Sequence, residues 1–277
     1  EKRGAIDARN TGWTRAGELI GNGPFKLVDW KPGQVIAVAK NEHYWDAALV
    51  KLKEIRFYPM EDLQTEERSF RSGALHITGD MPIAKIPVYQ RENSGALLIH
   101  PYLGTYFYRM NVTKPPFTDP RVRRAFALAL NRDEIVRNVT KGGELAATSF
   151  VPPNTAGYTS TAAMPYDPEQ ARKLLADAGF ANGQGLPPVE LLYNTSENHK
   201  LIAEAAAEMW KKELGVTVTL LNQDWKVYLS STNTLNYQMA RSAWVGDVLD
   251  PMNFLECFLT GGGNNRTGWS SPRYDAL

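Results

Sequence analysis

The sequence has a single cysteine among its 277 residues, so no disulfide can form within the chain. A disulfide-stapled scaffold is therefore excluded, whereas export from the cell is not, because many exported proteins lack disulfides. The four histidines are scattered and lack the short spacings that zinc sites require. We predict neither a metal site nor a cofactor.

Long apolar runs are also missing. No stretch approaches the roughly 20 residues that a membrane-spanning helix needs, and no signal peptide is visible. Lys and Arg total 31 against 30 Asp and Glu, which gives a formal charge of +1 and no excess charge for binding nucleic acid. The abrupt polar opening at Glu1 and the incipient helix before Leu277 lead us to expect a portion of a longer protein.

Motifs of common enzymes are absent as well. The chain has no GxSxG of serine hydrolases and neither the GxGxxG nor the GxxxxGK[ST] phosphate-binding pattern. Asp247 and Asp250 lie on one turn and could in principle act as an acid and a base. Catalysis needs convergent partners as well as an acid, and no nucleophile–base pair is recognisable. We therefore predict that the protein is not an enzyme.

Strand and helix patterns alternate along the chain. The order β–α–β–α–β over 189–244 predicts an α/β fold whose mixed sheet is flanked by helices. The sequence changes from strand-rich to helix-rich near residue 111. We therefore predict two lobes, residues 1–103 and 104–277, with a hinge at about 101–112.

Shorter segments give more local predictions. The early elements are a loop at 1–20, a hairpin at 21–41, a strand at 53–60, a helix at 62–73, a short buried strand at 74–82, a helix at 83–92 and two extended runs within 96–112. Asp-Pro pairs indicate helix starts at Asp119, Asp167 and Asp250. The apolar stripe of the helix at 196–215 is predicted to contain Leu201, Ala205, Met209 and Leu214.

The stretch RSAWVGDVLDPMNF, residues 241–254, holds the strongest site candidate. Asp250 is explained as a helix cap, whereas Asp247 follows a glycine at a strand end and is the better candidate for a ligand-facing charge. Arg241 and Trp244 lie at the same strand end, where open α/β sheets tend to bind ligands. The residues alone identify Asp247 only as a carboxylate in a cleft.

Aromatic residues are concentrated in two places. They are Tyr102, Tyr106, Phe107 and Tyr108 near the hinge, and Trp225, Tyr228 and Trp244 at the end of the second lobe's sheet. Each one alone is best explained by core packing, but together with the nearby charges they indicate a cleft. For His199, in the first turn of its helix, an ordinary structural role and a cleft-facing role remain equally open.

Several longer stretches resemble one known family. They are GNGPFKLVDWKPGQVIAVAKNEHYWD, FRSGALHITGDMPI, TDPRVRRAFALALNRDEIV, ARKLLADAGF, LLYNTSENHKLIAEAAAEMWKKELGVTVTLLNQDWKVYL and ARSAWVGDVLDPMNFL. On these stretches the chain is identified as a member of the family 5 extracellular solute-binding proteins, the periplasmic oligopeptide-binding proteins of ABC importers. The resemblance covers essentially all 277 residues.

The resemblance implies an α/β, two-lobed, periplasmic-binding-protein-like (type II) architecture with mixed sheets flanked by helices, incomplete at both ends. It implies a protein that closes over extended peptides and delivers them to the membrane permease subunits of an ABC transporter. We accordingly expect a monomer in the periplasm or another extracytoplasmic location, with a lipid anchor left open.

The resemblance also implies roles for individual residues. Asp247 matches the aspartate that pairs with the peptide's α-ammonium group. Trp244 and Trp225 match pocket tryptophans, and Arg241 and His199 match charged groups of the cleft. Ala243 and Val245 flank Trp244, where backbone groups can pair with the peptide.

Some positions depart from the family pattern. Arg109 stands where the oligopeptide binders have an acidic residue, Phe107 replaces a tyrosine, Thr78 and Gly79 replace a Tyr-Asn pair, and Thr232 replaces an arginine. These departures imply a changed preference for peptide length or side chains, for example toward cell-wall peptides.

Other functions are compatible with the sequence. A family 5 protein could instead bind a dipeptide, a nickel chelate, an opine or an oligosaccharide. From a different class, the chain could be the ligand-sensing part of a transcriptional regulator, which an N-terminal helix-turn-helix in the full gene would reveal.

Overall fold

The computed structural model describes residues 12–93 and 95–277, and the chain divides into two compact units between Glu61 and Asp62. The lobe boundary predicted at about 101–112 concerns the whole protein and stays a prediction. Most of the loop predicted at 1–20 lies outside the described residues, and its remainder forms turns.

The first unit contains a three-stranded antiparallel sheet. Its strands are β1 (Phe25–Lys31), β2 (Val35–Lys40) and β3 (Glu54–Phe57), in the order β1-β2-β3, and a 3-10 helix covers Ala47–Leu49. The first two strands confirm the predicted hairpin. Gly33 allows its tight turn, since its φ of 71° lies in the left-handed region that glycine adopts without steric cost.

The second unit contains a mixed four-stranded sheet. Its strands are β4 (Gly104–Met110), β5 (Val189–Asn194), β6 (Val218–Gln223) and β7 (Met239–Val245), in the order β4-β7-β5-β6. β5 runs parallel to both β6 and β7, whereas β4 pairs antiparallel with β7. The parallel pairs confirm the α/β organisation predicted over 189–244.

Helices connect and cover these strands. They are α1 (Leu63–Arg71), α2 (Ile86–Glu92), α3 (Pro120–Leu128), α4 (Arg132–Glu134), α5 (Pro168–Asp177), α6 (Glu197–Leu214), α7 (Trp225–Asn233), α8 (Met252–Leu255) and α9 (Pro272–Asp275). Short 3-10 helices cover Ile83–Lys85, Ala181–Gly183 and Glu256–Phe258, and a π-helix over Ile135–Thr140 continues α4.

Polar side chains start the helices where the sequence predicted. The Asp119 carboxylate accepts a hydrogen bond from the backbone N–H of Arg121 at 2.8 Å, and the Asp167 carboxylate accepts one from Gln170 at 2.9 Å. Such caps satisfy backbone donors that have no partner inside the helix. The Asp-Pro interpretation of these two helix starts is confirmed.

Helices cover both faces of the second sheet. On one face, buried residues of α3, α5 and α6 pack against Leu191 and Met239 in a single cluster. On the other face, Leu192 and Ala240 pack against Tyr228 of α7. Alternation along β5 and β7 sends neighbouring side chains into these two different cores.

The buried face of α6 is offset by about one residue from the apolar stripe that the sequence predicts. The buried positions are Ala203, Ala206, Trp210 and Leu214, whereas Leu201 is exposed. The fully buried Trp210 ring donates from Nε1 to the carbonyl oxygen of Phe126 at 2.9 Å, and the two small alanines allow close packing on the sheet. Spacing alone favoured the larger aliphatic residues and missed this tryptophan.

Two predicted extended segments are not strands. Residues 74–82 and 96–100 have no strand pairing among the described residues, and Ile77 and Leu98 are 83% and 73% exposed. A strand needs a neighbour for its backbone groups. A row of apolar residues is therefore not enough to form a strand here.

In the part of the chain that the structure describes, no helix is both long and apolar enough to cross a bilayer. Within the same residues, no three His, Cys, Asp or Glu side chains are grouped as metal ligands would be.

We predict that Trp210→Ala lowers the free energy of unfolding by about 3–5 kcal/mol, because it leaves a large cavity in the core. Leu201→Ala, on the exposed side of the same helix, should lower it by less than about 1 kcal/mol. Urea denaturation of the natural protein, followed by circular dichroism, measures both. Equal losses in the two variants would contradict the packing of α6 described above.

Candidate ligand-binding site

The site is built on the antiparallel pair β4 and β7. Phe107 lies opposite Ser242, and Arg109 lies opposite Ala240. Since residues paired across strands point to the same side and successive residues alternate, these four share one face of the sheet. The side chain of Arg241 points to the opposite face, whereas its backbone carbonyl oxygen accepts a hydrogen bond from the Tyr228 hydroxyl.

The first face borders a cavity of about 120 Å³, which we call the Arg109 pocket. It is lined by Phe107, Arg109, Phe150, Trp225, Tyr228, Leu229, Arg241, Ser242, Ala243, Trp244, Cys257, Phe258, Asn264, Arg266 and Thr267. The Trp225 and Tyr228 rings stack with centroids 5.6 Å apart. Six residues predicted for the site therefore meet around one cavity: Phe107, Arg109, Trp225, Arg241, Ala243 and Trp244.

Arg109 is half-buried in this pocket and has no counter-charge there. Its Nη2 donates to Ser242 Oγ at 2.6 Å, whereas its Nε and Nη1 have no hydrogen-bond partner within the described chain. Burial lowers the pKa of Arg109, but an arginine side chain stays protonated in proteins. Arg266 Nε is also buried without a partner.

The second face carries Arg241 and His199. The Arg241 guanidinium lies 5.0 Å from the ring centroid of Tyr106, and its Nη1 donates to Asn194 Oδ1 at 3.1 Å. The imidazole of His199 lies 5.7 Å from the same tyrosine ring, measured between centroids. Burial, and then the charge of Arg241, lower the pKa of His199 from 6.5 to about 3.

The segment containing Thr78 and Gly79 lies at the start of α6. The Gly79 backbone N–H donates to Glu66 Oε1 at 2.6 Å, and Asn198 Nδ2 donates to the Met81 carbonyl at 2.9 Å. Burial raises the pKa of the neighbouring Asp80, while the charge of Arg241 acts in the opposite direction.

Asp247 lies beyond the end of β7, outside the Arg109 pocket. Its backbone N–H donates to Asn253 Oδ1 at 2.9 Å, and the same oxygen accepts from Trp244 Nε1 at 3.4 Å. The Asp247 side chain is exposed, and among the described residues its carboxylate makes no hydrogen bond or ion pair. By contrast, Asp250 Oδ1 accepts from the Met252 N–H at 2.7 Å, although α8 begins at Met252 with Pro251 at the N-cap position, one residue later than predicted.

The β7 backbone is open on the side that faces β5. Pairing with β5 involves only Met239 and Ala240, whereas pairing with β4 continues to Val245. From Arg241 onward, no described strand lies beside β7 on its β5 side. Ala243 and Val245 belong to this open edge.

Sequence reasoning missed part of the site. Arg266 comes from an irregular segment, and Asp80 and Asn194 have no distinctive local pattern. Ser242 was expected only as part of a strand. The alternation of β7 could have placed Ser242 beside Trp244, but nothing local brings Arg266 close to Arg109.

We predict that His199 makes stability depend on pH. Its folded-state pKa of about 3 is below its ordinary 6.5, so the unfolded chain binds the extra proton first as pH falls. The folded state should therefore lose stability between about pH 6.5 and 3. Calorimetric melting temperatures of wild type and His199→Gln should diverge in this range, while His76→Gln, at an exposed position, serves as the control. Parallel curves for wild type and His199→Gln would contradict this prediction.

Comparison with known proteins identifies the family of the chain. Residues 3–266 match the model for bacterial extracellular solute-binding proteins, family 5, middle region. The chain is 38% identical to the oligopeptide-binding protein OppA of Bacillus subtilis, covering 98% of this chain and 52% of that protein. It is 36% identical to the periplasmic oligopeptide-binding protein OppA of Salmonella typhimurium, covering 99% and 52%.

A solved structure gives the same result. The murein tripeptide binding protein MppA of Escherichia coli matches with a TM-score of 0.90 and 37% identity, over 96% of this chain and 53% of that one. The predicted α/β, periplasmic-binding-protein-like fold is thereby confirmed, and the chain spans about half the length of the relatives it matches. The chain belongs to the family 5 bacterial extracellular solute-binding proteins.

Proposed function

We propose that the protein containing this chain is the substrate-binding component of an ABC importer for extended oligopeptides. It binds peptide between two lobes, with the hinge at about 101–112, and has no enzymatic activity. It acts as a monomer in the periplasm or another extracytoplasmic location and delivers peptide to the membrane permease subunits. Peptide-binding relatives and an almost neutral charge, which gives nucleic acid no basic surface, support this proposal.

The observation that carries the proposal is the open edge of β7. An extended peptide can add to an exposed strand edge through main-chain hydrogen bonds, which do not depend on peptide sequence. Here the edge includes Ala243 and Val245 and ends two residues before Asp247. A peptide lying along it would therefore have a carboxylate near one of its ends.

Asp247 is proposed to bind the peptide's α-ammonium group. Its carboxylate is free of hydrogen bonds and ion pairs among the described residues, so a cationic ligand has no internal partner to displace. A charge-assisted bond at this point fixes the register of the peptide without reading its side chains. Asn253 holds the backbone of Asp247 and the indole of Trp244 together.

The remaining predicted residues are proposed to surround a peptide bound along the open edge of β7. Trp244 and Trp225 provide walls for a peptide side chain, and the Arg109 pocket lies between them and Phe107. Arg241 and His199 face the other side of the sheet and are proposed to meet the carboxyl end of the peptide or ordered water. Thr78 and Gly79 are proposed to contact the ligand from the segment beside α6. This second set supplies positive charge from Arg241 alone, because His199 is neutral at physiological pH.

We predict that Asp247→Asn weakens the binding of peptides with a free amino terminus by about 2–5 kcal/mol, the usual cost of removing one partner of a charge pair that the bound ligand covers. Isothermal titration calorimetry of the full-length natural protein measures the loss. N-acetylated peptides should bind wild type and variant alike.

Asp250→Asn is the matched control, because it removes a charge three residues away and asparagine still accepts the N–H of Met252. It should leave peptide affinity unchanged. If Asp247→Asn binds free peptides as tightly as wild type, the assignment of Asp247 is wrong.

A further inference from the structure

The Arg109 pocket contains positive charge with no negative partner. Arg109 and Arg266 both contribute to its lining, and no described residue of the lining is acidic. Burying a charge without a partner is costly, so such groups are normally paired. Neither arginine forms an ion pair within the described chain.

Three nitrogen atoms of these two arginines have no hydrogen-bond acceptor among the described residues. Arg109 Nε and Nη1 and Arg266 Nε are buried and donate to no atom of the described residues. Arg109 is held in place through Ser242 Oγ, which occupies its Nη2. Nε–H and Nη1–H lie on different edges of the guanidinium, so each can donate a separate charge-assisted hydrogen bond to a carboxylate oxygen.

The size and walls of the pocket fit a short acidic chain. A dry protein cavity of about 150 Å³ is enough for benzene, so the 120 Å³ of this pocket suits a group with a few carbon atoms and a carboxylate. Phe107, Trp225 and Trp244 supply aromatic surface for methylene groups. Trp225 is 54% exposed, so it lies at the solvent side of the pocket.

We propose that the Arg109 pocket binds a carboxylate group of the ligand and makes the protein prefer acidic peptides. The carboxylate accepts a charge-assisted hydrogen bond from a free N–H of Arg109, and Arg266 adds a second positive charge. The inference rests on the proposed function, because it takes the ligand to be a peptide. Its carboxylate could come from an aspartate or glutamate side chain or from the peptide's own carboxyl end.

The test compares peptides that differ in one carboxylate. Calorimetry on the full-length protein uses tetra-alanine carrying glutamate or its neutral isostere glutamine at each position in turn, as free acids and as carboxyl-terminal amides. We expect one glutamate peptide to bind about tenfold to a hundredfold more tightly than its glutamine partner, the range for a hydrogen bond to a charged group. If affinity falls instead when the carboxyl terminus is amidated, the peptide's own carboxyl end occupies the Arg109 pocket.

Variants of Arg109 connect the preference to the pocket. Arg109→Gln should abolish the preference, whereas Arg109→Lys, which keeps the charge but loses the fixed guanidinium N–H groups, should retain part of it. Arg124→Gln removes an exposed arginine from α3 and should leave the preference intact. The melting temperature of Arg109→Gln should not fall, because the substitution removes a buried charge that lacks a partner.

The proposal is overturned if the wild type prefers neither glutamate over glutamine nor the free acid over the amide. It is also overturned if Arg109→Gln keeps the preference of the wild type. Two further results distinguish a failure of the proposed function from a failure of the carboxylate pocket. If N-acetylation has no effect, the role of Asp247 is wrong while the carboxylate preference still reports on the pocket. If no peptide binds, propionate and propionamide decide the matter: stabilisation by propionate alone, lost in Arg109→Gln, supports the pocket, and its absence rejects it.

Discussion

The unequal pairing of β7 is the constraint on which the site depends. Along one edge its backbone pairs with β4 at seven positions, whereas along the other it pairs with β5 at two. The first pairing holds the strand rigidly and sends its side chains to two fixed faces. The second leaves the backbone of Ala243 and Val245 without a neighbouring strand, whereas the carbonyl oxygen of Arg241 already accepts from the Tyr228 hydroxyl. A strand paired fully on both sides could not accept a peptide in this way.

The distribution of charge follows from these two faces. Arg109 and Arg266 lie on the α7 side with no acidic residue in their pocket, while Arg241 lies on the other side above Tyr106. Buried charges without partners reduce stability, and such costs are commonly found at functional sites. Asp247, at the exposed strand end, contributes the opposite sign. In the proposed function, these opposite charges at separate places would meet a ligand carrying both an ammonium group and a carboxylate.

Local features were predicted well where local chemistry decides them. Asp119 and Asp167 begin helices because their side chains cap nearby backbone N–H groups. The same logic separated Asp250, which serves a helix start, from the unpaired Asp247. Predictions failed where burial depends on distant residues. Residues 74–82 look like a buried strand but lack a described partner strand. The buried face of α6 includes Trp210, whose ring donates a hydrogen bond to the backbone carbonyl oxygen of Phe126.

The sequence by itself determined the order of strands and helices over residues 189–244, the helix starts at Asp119 and Asp167, and the presence of a charged, aromatic strand end around Asp247. Those properties depend on residues within one or two turns of each other. Only the tertiary structure decided which strand lies beside β7, where its edge is open, and that Arg266 joins Arg109 in one pocket. Alternation shows that neighbouring side chains point to opposite faces. It does not show what packs against either face, because that is set by contacts between residues far apart in the chain.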